Sequence, residues 1–422
     1  MTSTRSIAAC AWRTLQPRLA RAATAALATL ALASAYAAGP KAYVGNFKDN
    51  TVSVIETASG RVVATVPVAA GPDGIVVTRD GAAVYVSGSS ATSVSVIDAA
   101  GDRVAQAVET GKGPQGLALT PDGRTVLVAV NGEDRVALID TATRAIVATV
   151  PVAKPHTIAV RPDGKLAYVS SQEPGHFALA IVDLATRTVV GTVALEKPPR
   201  DLEFGHDGKA LYFTLAGVAA VQVLDPASDK IVAAVATGPS PHIAHFFRNT
   251  TVGVAVVQGP GELQLFDPAT NAPVRAIAVG KQPHWVDASA DGAKVYVTNE
   301  GGNSVTVIDL ATDRTETIAV GNAPRKIAIQ PVGAAHGAGA GHVTIDNFAF
   351  APADVTIAAG QSVTWSNKDG APHGLAFKDG APGADLMLPG AEFSRTFERA
   401  GTYEYACALH AYMTGRVIVR AL

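Results

Sequence analysis

Cys407, His410 and Met413 follow one another at three-residue steps, and His373 stands 34 residues before the cysteine. One thiolate and two imidazoles can form a trigonal plane that a weak axial thioether completes, a donor set that suits copper in both oxidation states. Zinc rarely recruits methionine, and a closed structural zinc site would normally use a second thiolate. Four protein ligands also leave no vacant position for a substrate, so the implied chemistry is single-electron exchange.

Each residue alone has an ordinary reading: a buried core cysteine, a surface histidine, a methionine filling space. The flanking elements make the coincidence harder to dismiss. Tyr403, Tyr405 and Cys407 alternate onto one face of a strand opened by Gly401, and the next six residues read as a tight loop around one point. His373 precedes the apolar run Leu375–Phe377. Further strand signals at Val343–Ile345, Asp354–Ile357, Ser362–Ser366, Phe393–Phe397 and Arg416–Arg420 make residues 342–422 a small β-sandwich or Greek-key barrel.

Over this stretch the chain resembles the small blue copper proteins, or cupredoxins, of the amicyanin and plastocyanin type. The matching segments are Trp365-Ser366-Asn367-Lys368-Asp369-Gly370-Ala371-Pro372-His373 and Gly401 through Met413. The resemblance implies a single type 1 copper held by His373, Cys407, His410 and Met413. It also implies that Asn367 ties the two ligand loops together by hydrogen bonds, and that electrons pass through the exposed edge of His410. Pro372, Leu375, Met387, Leu388, Leu409 and Ala411 are then expected to form an apolar docking patch around that edge.

Most of the chain is a repeat. The acids that follow an apolar residue in Ile55-Glu56, Ile97-Asp98, Ile139-Asp140, Val182-Asp183, Leu224-Asp225, Phe266-Asp267 and Ile308-Asp309 are spaced 42, 42, 43, 42, 42 and 42 residues apart. Within one unit, Thr157–Arg161, Lys165–Ser170, Ala178–Asp183 and Val189–Val193 carry strand patterns, and Pro162-Asp163-Gly164 makes a hairpin turn. Seven units of four strands predict a seven-bladed β-propeller over residues 40–332. Its ring is expected to close by pairing Lys41–Val44, a second strand, with Arg325–Ile329, a first strand lacking successors. Tyr296-Val297-Thr298-Asn299 and its relatives resemble the YVTN-type β-propeller family, which implies the fold and says little about activity. The expected fold class is therefore all-β: a seven-bladed β-propeller followed by a cupredoxin β-sandwich.

The entrances to the first strands align as Asp73, Gln115, His156, Arg200, His242, His284 and Arg325, each after a proline. Propeller geometry makes them converge on the channel mouth, where His156, His242 and His284 could hold a second metal, a cofactor or a substrate. A repeat also places equivalent residues in a ring automatically, so the ring alone does not decide the matter. The order of domains is similar to that of nitrous oxide reductases, but this propeller has too few histidines and the second domain lacks their paired cysteines. Methylamine dehydrogenase, whose propeller subunit works with amicyanin, is a closer parallel, although no quinone-bearing subunit is encoded here.

Residues 1–37 hold four arginines, no acid, and most of a small apolar run that ends in Ala33-Ser34-Ala35-Tyr36-Ala37-Ala38. Ala35 and Ala37 both complete a small-x-small pattern, so the segment is predicted to be a secretory signal peptide cleaved after one of them. Its removal takes away Cys10, leaves Cys407 as the sole thiol, and leaves 30 basic against 36 acidic residues, a net charge of −6. One thiol excludes an internal disulfide and a two-cysteine copper centre, and the acidic balance argues against nucleic acid. Residues 333–341 read as a Gly/Ala-rich linker. The expectation is a periplasmic or secreted electron carrier, without a stable membrane span, that serves a redox partner such as a c-type cytochrome or periplasmic oxidoreductase. The alternative is an oxidoreductase with a second site at the propeller mouth.

Overall fold

The computed structural model describes residues 40–247, 252–289, 292–331 and 341–420, apart from Pro382, Glu398 and Ala411. The expected leader and nearly all of the expected linker, including its His336, lie outside these residues.

Seven four-stranded antiparallel sheets fill residues 41–329. Their first strands are Pro72–Val77, Pro114–Leu119, Pro155–Val160, Pro199–Phe204, Pro241–Phe246, Pro283–Ala288 and Pro324–Ile329, so each opens on the aligned proline. Proline fits there because a strand's first residue has no need to donate to the ladder. Each first strand touches the next, and Pro324–Ile329 touches Pro72–Val77 in turn, so the cycle is closed with the first strands innermost. The closing sheet forms as expected: Ala42 pairs with Ile329, Tyr43 with Ala328 and Val44 with Ile327.

Burial falls from the inside outward. The second strands Lys41–Asn46 and Ala83–Gly88 are buried throughout, whereas the fourth strands Arg61–Pro67 and Arg103–Glu109 are mostly exposed. Turn chemistry accounts for the repeated acids. Asp140 accepts from the Thr143 amide and hydroxyl, Asp183 repeats this with Thr186, and Asp309 with Thr312. In the hairpins, Asp122, Asp163 and Asp207 accept the amide two residues on, and Gly123, Gly164 and Gly208 adopt positive φ.

The YVTN-like strands stitch neighbouring sheets together. The buried Tyr168 hydroxyl donates to Asp229 in the next unit at 2.9 Å. Hydroxyls at the third signature position donate to main-chain oxygens of the next unit's ring residue: Ser87 to Gln115 at 2.5 Å, Thr214 to His242 at 2.6 Å and Thr298 to Arg325 at 2.5 Å. These bonds fix where the backbones of Gln115, His242 and Arg325 sit.

Residues 341–420 form two sheets. One orders Ala349–Ala351, Gly341–Asp346, Gln361–Asn367 and Glu392–Phe397; the other orders Asp354–Ala358, Thr414–Arg420, Gly401–Ala406, His373–Phe377 and Ala384–Met387. Alternate residues of both sheets, among them Val343, Trp365, Phe377, Phe397, Tyr405 and Val417, share one core. This is the expected β-sandwich, with Ala349–Ala351 and Ala384–Met387 as strands the sequence pattern did not reveal.

Candidate metal centre

The second sheet brings the ligand segments together. Cys407 lies just beyond the end of Gly401–Ala406, and His373 opens the strand beside it, where Ala376 pairs with Ala406. The Cys407–Met413 loop is closed by its own backbone: the Cys407 amide donates to Met413 O at 3.0 Å and the Met413 amide to His410 O at 2.9 Å. Cys407 and Met413 are 3% exposed, His373 is fully buried, and His410 keeps a partly exposed edge.

The donor atoms of His373, Cys407 and His410 all lie within 4.8 Å of one another; among the described residues they are the only group of three or more His, Cys, Asp or Glu residues that do so. Cys407 Sγ stands 3.6 Å from His373 Nδ1 and 3.5 Å from His410 Nδ1. With metal bonds of about 2.0 Å to nitrogen and 2.3 Å to sulfur at trigonal angles, such donors should be roughly 3.7 Å apart. The spacing therefore fits one shared first-row ion, and the buried Met413 in the same loop fits copper rather than zinc.

The surroundings orient these candidate ligands. Asp369 Oδ2 accepts from His373 Nε2 at 2.9 Å, which leaves Nδ1 facing the thiol. The Phe348 amide, then His373, hold the Asp369 carboxyl below its ordinary range. Gly374 N–H donates to Cys407 Sγ at 3.4 Å, linking the two ligand segments. The ring of Phe348 stands edge-on to both His373 and His410, with centroids 5.4 and 5.0 Å away.

Asn367 does not join the two ligand loops as the resemblance implied. Its fully buried amide donates to Ala371 O at 2.9 Å and Met387 O at 2.8 Å, and its Oδ1 accepts from the Asp369 amide at 3.0 Å. It braces the His373 loop against Ala384–Met387; Gly374 makes the link to the cysteine. The apolar surface also differs from expectation. Leu375 and Met387 are 2% exposed and belong to the core, because their strands lie side by side over it. Pro372, Leu388 and Leu409 are exposed as expected, and Phe348, Leu386 and Tyr412 join them; Ala411 lies outside the described residues. Phe348 and Asp369 carried no spacing signal beyond Asp369 falling four residues before His373.

In the propeller, Asp73, His156, Arg200, His242, His284 and Arg325 line one cavity, whereas Gln115 is not part of its lining. The expected convergence thus holds for six of the seven positions. The His242 and His284 ring centroids are 4.0 Å apart, yet the three histidines do not present donor atoms at metal-sharing distances.

Fold and site together define an all-β chain in which a β-propeller precedes a copper-binding cupredoxin domain. Residues 339–420 match the family of copper binding proteins, plastocyanin/azurin family, and residues 35–120 match the YNCE-like beta-propeller family. The chain is 38% identical over 88 residues to amicyanin-alpha of Methylorubrum extorquens, covering 73% of that protein, and 42% identical over 84 residues to plastocyanin of Scenedesmus fuscus, covering 86% of it. It is 40% identical over 82 residues to amicyanin of Paracoccus versutus, spanning 62% of that protein's length. These matches take in 17–19% of this chain. Through its C-terminal domain the chain belongs to the plastocyanin/azurin family, and its cofactor there is type 1 copper. The fold is also similar to Kuenenia stuttgartiensis hydrazine synthase, at a TM-score of 0.59 and 22% identity over 64% of this chain and 92% of that one. A second likeness is to dihydro-heme d1 dehydrogenase NirN, at a TM-score of 0.52 and 16% identity over 68% of this chain and 74% of that one.

Proposed function

We propose that the protein is an exported electron carrier whose cupredoxin domain, residues 342–422, exchanges single electrons with a redox protein while the propeller, residues 40–332, serves as a docking scaffold. His373, Cys407, His410 and Met413 are its copper ligands in this reading. Residues 1–37 are the signal peptide and 333–341 the linker. Bound there, copper supplies the one-electron Cu(I)/Cu(II) couple. His373 and Cys407 hold the inner side of the site away from water, Asp369 and Asn367 keep the His373 loop in place, and His410 offers the exposed edge. Around that edge Leu388, Leu409 and Tyr412, 58%, 51% and 72% exposed, form an apolar face suited to a transient partner such as a c-type cytochrome or a periplasmic oxidoreductase. No helix among the described residues is long and apolar enough to cross a membrane.

The observation that carries this reading is the triangle of His373, Cys407 and His410 donors in a domain of plastocyanin/azurin type. Metal analysis combined with the visible spectrum tests it. One copper per chain with an intense thiolate-to-copper band is expected, and Cys407→Ser should abolish the band. A colourless protein, or one that keeps its band after Cys407→Ser, would overturn the assignment.

A further inference from the structure

The propeller cavity is lined by many charged and polar side chains and has no part in the copper site. Its volume is about 360 Å³, and Asp201, Glu300 and Lys326 line it together with the ring residues. Its charges are unevenly matched. Arg325 is committed to Asp73 at 2.9 Å and Glu300 at 3.2 Å and lies over the Phe47 ring. Arg200 bonds only neutral groups, Ser240 Oγ at 3.1 Å and Gln258 Oε1 at 3.4 Å. Lys326, 9% exposed, holds its ammonium 3.6 Å from the Trp285 ring centroid. Among the described residues neither the partly buried Arg200 nor the buried Lys326 has a carboxylate within ion-pair distance, which is costly where water is excluded.

The imidazoles of the cavity are kept neutral chiefly by burial. Burial first, then Arg200, holds His242 well below the ordinary histidine range, and burial first, then His242 and Arg325, does the same to His284. His156 is lowered for the same leading reason. Three neutral imidazoles and two cations without a carboxylate in ion-pair contact, Lys326 sensing Asp201 only at longer range, match a negative ligand, whereas a metal ion entering the cavity would meet Arg200, Arg325 and Lys326.

We propose that this cavity binds the oxyanion group, carboxylate or phosphate, of a small anionic molecule, with Arg200 as its principal ion-pair partner and Lys326, His156, His242 and His284 as further donors. The proposal is independent of the copper assignment. It carries a proton linkage, because an arriving negative charge favours protonation of imidazoles that burial, reinforced by neighbouring cations, keeps neutral. Asp201, pushed up to about 7 by burial, gains proton affinity in the same way. Asp73 and Glu300, the other acids facing the cavity, remain engaged with Arg325. Binding is therefore accompanied by net proton uptake near neutral pH.

Calorimetric titration of the full-length, copper-loaded protein with inorganic phosphate and with succinate, each in two buffers of different ionisation enthalpy, tests this. At least one probe should bind with proton uptake, and Arg200→Gln should weaken it by about tenfold or more while leaving the visible spectrum and Tm unchanged. Lys326→Met should weaken the same probe and serves as the second variant if Arg200→Gln unfolds. Binding of phosphate alone assigns a phosphate ligand, and of succinate alone a carboxylate ligand. The proposal is overturned if neither probe binds at about 10 mM, if both variants bind as the wild type does, or if binding takes up no protons. A second copper or zinc equivalent lost in His242→Ala would also overturn it, by making the cavity a metal site.

Discussion

Replacing Asn367 by alanine should loosen the copper domain by an amount that follows from its three hydrogen bonds. The side chain is fully buried, donates at 2.9 and 2.8 Å to Ala371 O and Met387 O, and accepts from the Asp369 amide at 3.0 Å. Truncation leaves two carbonyls and one amide without that partner, at about 1 kcal/mol each, or on the order of 3 kcal/mol together. For a unit of roughly eighty residues this lowers Tm by about 12–24 °C. The assay is the temperature dependence of the visible band in the full-length, copper-loaded chain, because the loop that Asn367 braces carries His373, a proposed ligand. Asn367→Asp keeps the acceptor and loses both donations, so it should lose at least as much stability as the alanine variant. A Tm within about 2 °C of wild type for both variants would refute the reasoning, since it would mean that the three bonds are replaced without cost.

Phe348→Ala removes the ring that stands edge-on to both imidazoles; it should cost about 1–2 kcal/mol and lower the midpoint potential by admitting water, and voltammetry showing no change would dismiss this role. Leu409→Glu places a charge on a half-exposed residue beside the His410 edge; stopped-flow transfer to the physiological partner should slow while the visible spectrum stays intact, and an unchanged rate would remove the docking face. Asp201→Asn tests the cost of the buried acid. Burial raises its folded pKa from 3.8 to about 7, so the wild type keeps this contribution in full below pH 4 and loses it progressively up to pH 7. The asparagine variant should therefore gain relative stability across that window, by at most about 4 kcal/mol, and a Tm difference that is flat from pH 4 to 8 would contradict it.

The propeller was legible because a repeat multiplies weak signals. Aligned prolines marked every first strand, and the unpaired Arg325–Ile329 segment pointed to Lys41–Val44 as its partner, a pairing the registers bear out. The candidate copper ligands stood out in the sequence because three of them sit in one loop. What escaped the sequence had no periodicity to reveal it. Ala349–Ala351 is three residues long, too short to alternate, yet the preceding turn sets Phe348 against the imidazoles. Leu375 and Met387 resembled surface residues near a ligand, but alternation shows only that a residue lies on one face and not which sheet covers that face. Asn367 stands out by its position, while its partners depend on the Ala384–Met387 strand that the pattern had hidden.

The seven ring positions show why the propeller's fold could be read and its ligand could not. Hydroxyls of Ser87, Thr214 and Thr298 fix the backbone of Gln115, His242 and Arg325 from the preceding unit, and Thr157 does the same for Arg200 at 3.0 Å. These bonds engage main-chain oxygens, so they place the residue without specifying its side chain. At these four positions the repeat holds the backbone while leaving the side chain free, and across the ring that freedom is used: aspartate, glutamine, histidine and arginine occupy equivalent places. A ring that only closed the fold could use one residue type throughout. Around one cavity Arg200 stands with the neutral His242 and His284, while the carboxylates Asp73 and Glu300 are both drawn to Arg325, so Arg200 is left without a carboxylate partner where the repeat alone imposes no such pattern.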